Sequence, residues 1–110
     1  MARMEPTENV STLRRGLMEF VVLSVIAKQD AYAADILATL EPTEFRTQEG
    51  TLYPLLSKIR RDGAVEYAWQ ESANGPPRKY YRLTPQGKEQ LEALQQDWKK
   101  IIKTISSLGA

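Results

Sequence analysis

Arg78-Lys79-Tyr80-Tyr81-Arg82 puts three cations and two phenols into five consecutive residues. The residues just ahead, "ESANGPP", are turn formers throughout. Guanidinium and ammonium groups beside an exposed turn suit phosphate oxygens, to which they donate charge-assisted hydrogen bonds. Asn74-Gly75 at the tip would let a backbone come close to a ligand. Between Lys58 and Arg82 the cations Lys58, Arg60, Arg61, Arg78, Lys79 and Arg82 outnumber Asp62, Glu66 and Glu71 by three, in a chain of net charge +1. A local excess of this kind attracts a polyanion and makes its binding salt-dependent. A merely solvated hairpin would carry it equally well.

Other chemistries are largely closed. The 110 residues include no cysteine and no histidine, so disulfides, thiolate chemistry, the usual general base and the usual metal ligands are absent. The fourteen carboxylates could supply an acid–base pair by number alone, but none lies in a Gly-rich or pocket-like context. No enzyme activity, metal or cofactor is expected. The longest apolar run, "LMEFVVLSVIA", contains Glu19 and is too short to span a bilayer. Its flank, with Glu5, Pro6 and Glu8, lacks a signal-peptide cleavage pattern. A soluble cytoplasmic chain with no membrane partner, forming one domain, is the expectation.

The elements that must position the basic stretch follow from periodicity. Residues 1–11 show none and are expected to be a flexible arm. A first helix fits Thr12 to about Lys28, apolar on all sides in its second half, which implies burial on all sides and hence a second chain. A second helix fits Tyr32 to Leu40, with Ile36, Leu37 and Leu40 as its stripe and Glu41-Pro42 as its stop. Leu52, Leu55, Leu56 and Ile59 mark a third helix, ended by Gly63 with Arg60 and Arg61 in its last turn. Its start is open. A start near Gln48 makes Pro54 an interior proline costing roughly 3 kcal/mol, whereas a cap at Thr51 largely removes that cost.

Val65 to Gln70 alternates as a half-buried strand, and Lys79 to Leu83 is β-prone, so the two read as a hairpin. Thr84 caps and Pro85 heads a last helix running to about Leu108, roughly 36 Å long. Along it Leu91, Leu94, Trp98, Ile101, Ile105 and Leu108 recur at heptad spacing. That seam packs either on the first helix of the same chain or, as favoured here, across a homodimer. The fold class is therefore mainly α with a β-hairpin (α+β): a winged helix-turn-helix over 12–84 and a C-terminal dimerisation helix over 85–110.

The blocks "LRRGLMEFVVLSVIA", "EGTLYPLLSKIRRDGAVE" and "GPPRKYYRLTPQGKEQL" resemble the PadR family of transcriptional regulators from about Leu13 onward. The short last helix is similar to the small subgroup that includes a lactococcal multidrug-resistance regulator. The resemblance implies a homodimeric repressor of a palindromic operator in double-stranded DNA. Carried over by position, it implies DNA contacts from Gln48, Glu49, Gly50, Thr51, Tyr53, Pro54 and Lys58 on the third helix, and from Gly75, Arg78 and Lys79 on the wing. It also implies a possible small-molecule effector, planar and hydrophobic or cationic, held at the dimer interface by Trp98 and Asp97 with Met18 and Val22. Trp98 as an ordinary seam residue is the competing expectation. Two positions depart from the family's pattern: Ala31 precedes Tyr32 where glycine is usual, and Gln48 stands where the helix cap is usually serine.

Overall fold

The computed structural model describes residues 6–109. The elements are α1 (Pro6–Lys28), β1 (Ala31–Tyr32), α2 (Ala33–Leu40), α3 (Glu49–Arg61), β2 (Val65–Ser72), β3 (Gly75–Leu83) and α4 (Pro85–Ser107). The three strands form one antiparallel sheet in the order β1-β3-β2. Val22, Leu23, Ile26, Ile36, Leu52, Leu56 and Ile59 are fully buried and join the first three helices into one core. Val65, Tyr81 and Leu83 close that core from the sheet side, and Leu91 from α4.

Three elements differ from the sequence expectation, and the start of α3, open between two positions in the sequence, falls at the earlier one. The first helix begins at Pro6 rather than Thr12, so much of the expected arm (1–11) is helical and only residues 1–5 lie outside the described residues. Proline suits a first helical position because the N–H it lacks would have no partner in the helix there. Tyr32 belongs to a two-residue strand and caps α2 from outside, its backbone N–H donating to Asp35 Oδ2 at 3.0 Å. α3 begins at Glu49 with Gln48 as its cap, which makes Pro54 an interior residue. Gly50 C=O thereby loses its usual helical donor, at a solvent-facing position.

The hairpin is also longer than expected. Ser72 pairs with Gly75 around a two-residue loop, Ala73-Asn74, and Pro76-Pro77 lie in β3 rather than in the turn. Proline fits there because β1 pairs β3 only at Tyr80 and Tyr81. Beyond that pair the outer edge of β3 has no strand requiring an N–H.

The end of α3 and the start of α4 are locked together. Gly63, at φ +83°, closes α3 with Gly63 N–H to Arg60 C=O (3.0 Å) and Ala64 N–H to Ile59 C=O (2.9 Å), a Schellman cap. Thr84 Oγ1 donates to the carbonyls of Gly63 and Ala64 and accepts from Gly87 N–H at 2.9 Å. Thr84 N–H donates to Ala64 C=O at 3.0 Å, and Gln86 Nε2 donates to Asp62 C=O at 3.0 Å. Gly87 is buried against the Ala64 carbonyl, where a Cβ would collide with backbone.

Residues of α4 beyond Leu94 leave the core. The Cα radius of gyration, 16.1 Å, exceeds the ~13 Å of a compact chain of about this size, with a long axis of 52 Å. Urea denaturation checks the joint. Gly87→Ala is expected to cost about 3 kcal/mol, because backbone must move. Thr84→Ala is expected to cost about 1 kcal/mol, as a lost cap does.

Candidate nucleic-acid interface

α3 buries Leu52, Leu56 and Ile59 and turns its opposite side to solvent. On that side Gly50, Pro54, Ser57 and Arg61 recur at i, i+4, i+7 and i+11 and are all exposed, so they share one face. Nothing large stands on it before Arg61, and a backbone or base edge could approach Gly50 and Pro54 closely. Gln48 makes no side-chain cap hydrogen bond, which leaves amide N–H groups of the first turn open to an external acceptor.

The two flanks of this face differ. On one flank Tyr53, 47% exposed, lies beside the hairpin, and the Arg60 guanidinium sits 5.0 Å from the Tyr67 ring centroid. Burial pushes the Tyr81 phenol up from its ordinary value, with Tyr53 and Tyr67 adding to the effect and Arg60 opposing it. On the other flank Thr51 faces a shallow depression shared with the start of α1, and Lys58 reaches back to the core. Its Nζ lies 3.0 Å from Asp62 Oδ2 and 3.3 Å from Glu19 Oε2. Glu19 Oε1 in turn accepts from Gln90 Nε2 of α4 at 3.3 Å.

The hairpin's alternation divides its cations between two faces. Trp69 opposes Lys79 and Tyr67 opposes Tyr81 on the face toward α3, whereas Gln70 opposes Arg78 and Glu66 opposes Arg82 on the other. Lys79 Nζ lies 4.7 Å from the Tyr67 centroid and 5.6 Å from that of Trp69, and Trp69 is 62% exposed. Arg60, Tyr67, Lys79 and Trp69 therefore form a ladder from α3 out along the hairpin. Arg78 lies 5.6 Å over the Tyr32 ring, which itself packs on Tyr80 at 4.9 Å. Arg82 Nε donates to Glu66 Oε1 at 2.8 Å.

Of the residues singled out in the sequence, Gln48, Glu49, Gly50, Thr51, Tyr53 and Pro54 occupy the exposed first half of α3. Gly75 starts β3 beside the hairpin tip, with Arg78 and Lys79 following it. Lys58 stands apart from the open face, its ammonium held by Asp62 at the end of α3 and by Glu19 of α1. Ser57 and Arg61 were not singled out, although their spacing from Gly50 mirrors the buried leucine stripe.

A second exposed feature lies between α1 and α2, with Trp98 reaching it from α4. Leu17, Phe20, Val21, Ser24, Val25, Phe45 and Trp98 line an open, mainly apolar groove of about 840 Å³. The Trp98 indole, 40% exposed, meets Phe20 edge-on at 6.4 Å. Met18 and Val22, expected beside Trp98, are instead buried in the core, and neither they nor Asp97 line the groove. They sit on the inward side of α1, whereas Leu17, Phe20 and Val21 take the outward side. The heptad seam divides likewise: Leu91 is buried and Leu94 half-buried in this chain's core, whereas Ile101, Ile105 and Leu108 are exposed.

A helix-turn-helix with an adjoining two-stranded wing defines a winged-helix architecture. Residues 22–93 match the family model described as the transcriptional regulator PadR-like family. The chain belongs to that family, whose members are DNA-binding transcriptional regulators and not enzymes. It is 39% identical to a PadR-like transcription factor from Bacteroides fragilis, with a TM-score of 0.80, 90% of this chain and 96% of that one being covered. A PadR-like regulator from Bacillus cereus is 31% identical over 88% of this chain and 95% of its own, with a TM-score of 0.79. The transcriptional regulator Rv3488 of Mycobacterium tuberculosis is 30% identical over 78 residues, 71% of this chain and 72% of its own. Among the described residues no helix is long and apolar enough to cross a membrane.

The Lys58 ammonium has a pKa above the ordinary lysine value, raised first by its hydrogen bond to Asp62 and then by Glu19. A raised lysine pKa favours the folded state below the unfolded value of about 10.4, and the contribution disappears as pH rises through the folded pKa. An NMR titration of the Lys58 side chain is expected to show Asp62→Asn lowering that pKa more than Glu19→Gln.

Proposed function

We propose that the protein is a cytoplasmic homodimeric repressor that binds a palindromic operator, with the exposed face of α3 in the major groove and the wing on the flanking backbone. The single observation carrying this reading is the open stripe Gly50, Pro54, Ser57 and Arg61, lying beside a hairpin that bears Arg78, Lys79 and the exposed Trp69. Small residues at the start of the stripe let the backbone of α3 approach base edges. Tyr53 can hydrogen-bond a phosphate or pack on a thymine methyl, and Arg61 can donate to a base or a phosphate. Gln48, Glu49 and Thr51 offer polar groups to the rim of the same groove. Arg78, Lys79 and the backbone near Gly75 would meet phosphates.

Dimerisation follows from the exposed side of α4. Trp98, Ile101, Ile102, Ile105 and Leu108 are 40–79% exposed on a helix that outruns its own core. An apolar stripe of that length on a small chain is normally covered, and the apolar groove of α1 matches it in chemistry. Leu91 and Leu94 then anchor α4 to its own protomer, while Trp98, Ile101, Ile105 and Leu108 form the shared seam. Two-fold symmetry places paired α3 helices about one or two helical turns of DNA apart.

The same reading includes a small effector at the pairing of Phe20 with Trp98. Flat aromatic surfaces there suit a planar hydrophobic or cationic guest, and Phe20, Val21 and Val25, which line the groove, take the role first given to Met18 and Val22 in this proposal.

Fluorescence anisotropy with DNA from upstream of the protein's own gene tests the regulator, in the presence of generic competitor and at several salt concentrations. Arg61→Ala is expected to weaken specific binding roughly tenfold. Ile105→Asp is expected to sediment as a monomer and to lose the palindromic footprint. Binding abolished by competitor, or an asymmetric footprint, would overturn the reading.

A further inference from the structure

The shallow depression on the flank of α3 away from the wing is lined by Arg14, Arg15, Met18, Glu41, Arg46, Thr47, Gln48 and Thr51. Three guanidinium groups and one carboxylate share it. Arg14 and Arg15 come from α1, Arg46 from the segment joining α2 to α3, and Gln48 and Thr51 from the start of α3 itself. Nothing in the sequence pattern drew attention to these arginines, because Arg46 lies 31 residues beyond Arg15 along the chain.

Their intramolecular contacts are loose. Arg14 Nη1 reaches the Glu44 carbonyl at 3.4 Å, and Arg46 Nη1 stands 3.6 Å from Glu41 Oε1 with both side chains largely exposed. Each guanidinium has five N–H donors, and among the described residues the one long contact of Arg14 and that of Arg46 leave most of their donors available. Exposed pairs of this kind contribute little to stability and exchange readily for a phosphate, which takes a guanidinium in bidentate fashion.

A helix lying in a major groove has one sugar–phosphate strand on each side. The wing supplies cations beside Tyr53 and Arg60, on one flank of α3. Thr51 faces the other flank, where Lys58 is held by Glu19 and Asp62. On that side the cations next to the open face are those of the depression. We propose that Arg14, Arg15 and Arg46 form a second phosphate-binding patch that holds the DNA strand opposite the wing-bound one. The proposal rests on α3 being the element that enters the groove, and it adds three residues and a strand assignment to that reading.

Salt-dependence measurements test it on the full chain. The probes are a labelled duplex from upstream of the protein's own gene and a scrambled duplex of equal length. The variant Arg14→Ala/Arg15→Ala/Arg46→Ala is compared with Lys99→Ala/Lys100→Ala/Lys103→Ala, which removes the same charge from α4. The arginine variant is expected to bind both duplexes at least about tenfold more weakly. Its slope of log affinity against log salt should fall by about 0.9 for each phosphate it no longer neutralises, and its preference for the upstream duplex should be nearly unchanged. The α4 variant should keep the wild-type slope.

An unchanged slope in a folded arginine variant, while Arg61→Ala still loses binding, overturns this inference and leaves the α3 reading intact. Equal slope reductions in both triple variants also overturn it, because bulk charge would then be the cause. Wild-type protein without salt-sensitive binding overturns both readings. Should the triple variant fail to fold, Arg15→Ala alone decides: a slope reduced by about one supports the patch, and no change overturns it.

Discussion

The Ala64 carbonyl oxygen is the point on which the arrangement of the molecule depends. It accepts from the Thr84 backbone N–H at 3.0 Å and from the Thr84 hydroxyl, and the Cα of Gly87 presses directly against it. α3 ends three residues before it at Arg61, β2 begins one residue after it, and α4 starts from the threonine bonded to it. α3, the root of the hairpin and the root of α4 therefore share one hydrogen-bonded joint. Side chains alone would not hold such a joint, since it consists of carbonyls at a helix end that must find donors somewhere. Thr84 and Gln86 supply those donors, so α4 leaves at an angle set by backbone contact.

Around that joint the charges sort by what already holds them. Lys58 and Arg82 each have a carboxylate within hydrogen-bonding distance, and they brace α3 to α1 and β3 to β2. Arg60, Arg78 and Lys79 lie over aromatic faces instead. A ring attracts a cation without occupying its N–H donors, so these side chains are oriented yet still able to donate. Glu19 touches Lys58 with one oxygen and Gln90 with the other. Its position links α4 to α3 through a single side chain of α1.

Much of the fold was legible because hydrophobic periodicity is strong where elements pack on one core. The leucine stripe of α3, the cap at Thr84 and the alternation of Val65, Tyr67 and Trp69 each pointed to the structure found. The failures have physical causes. Between Pro6 and Ser11 only Val10 is apolar, so no period marks the start of α1. β1 has two residues, too few to alternate, and without it the prolines at 76 and 77 could only be taken for a turn. The heptad of α4 marked its apolar side correctly, but a period does not reveal whose core a residue enters. Leu91 and Ile105 carry the same signal and lie in different environments. Met18 and Val22 were placed beside Trp98 because α1 is apolar nearly all round, a pattern that cannot separate its inward from its outward side. Of the open face of α3, the family resemblance pointed to the first turns, while Ser57 and Arg61 are ordinary residues that share the face through register alone.

The two consecutive prolines of β3 have one more consequence. A hairpin reaching out from a small body presents an unpaired strand edge, and such edges recruit strands from other molecules. Of the consecutive Pro76 and Pro77, one removes a donor from the outer edge of β3 just where β1 no longer covers it, and the other lies where the pairing with β2 is irregular. A foreign strand laid along that edge would meet carbonyls without partners and pyrrolidine rings in its way. The wing is thereby guarded against edge-to-edge aggregation.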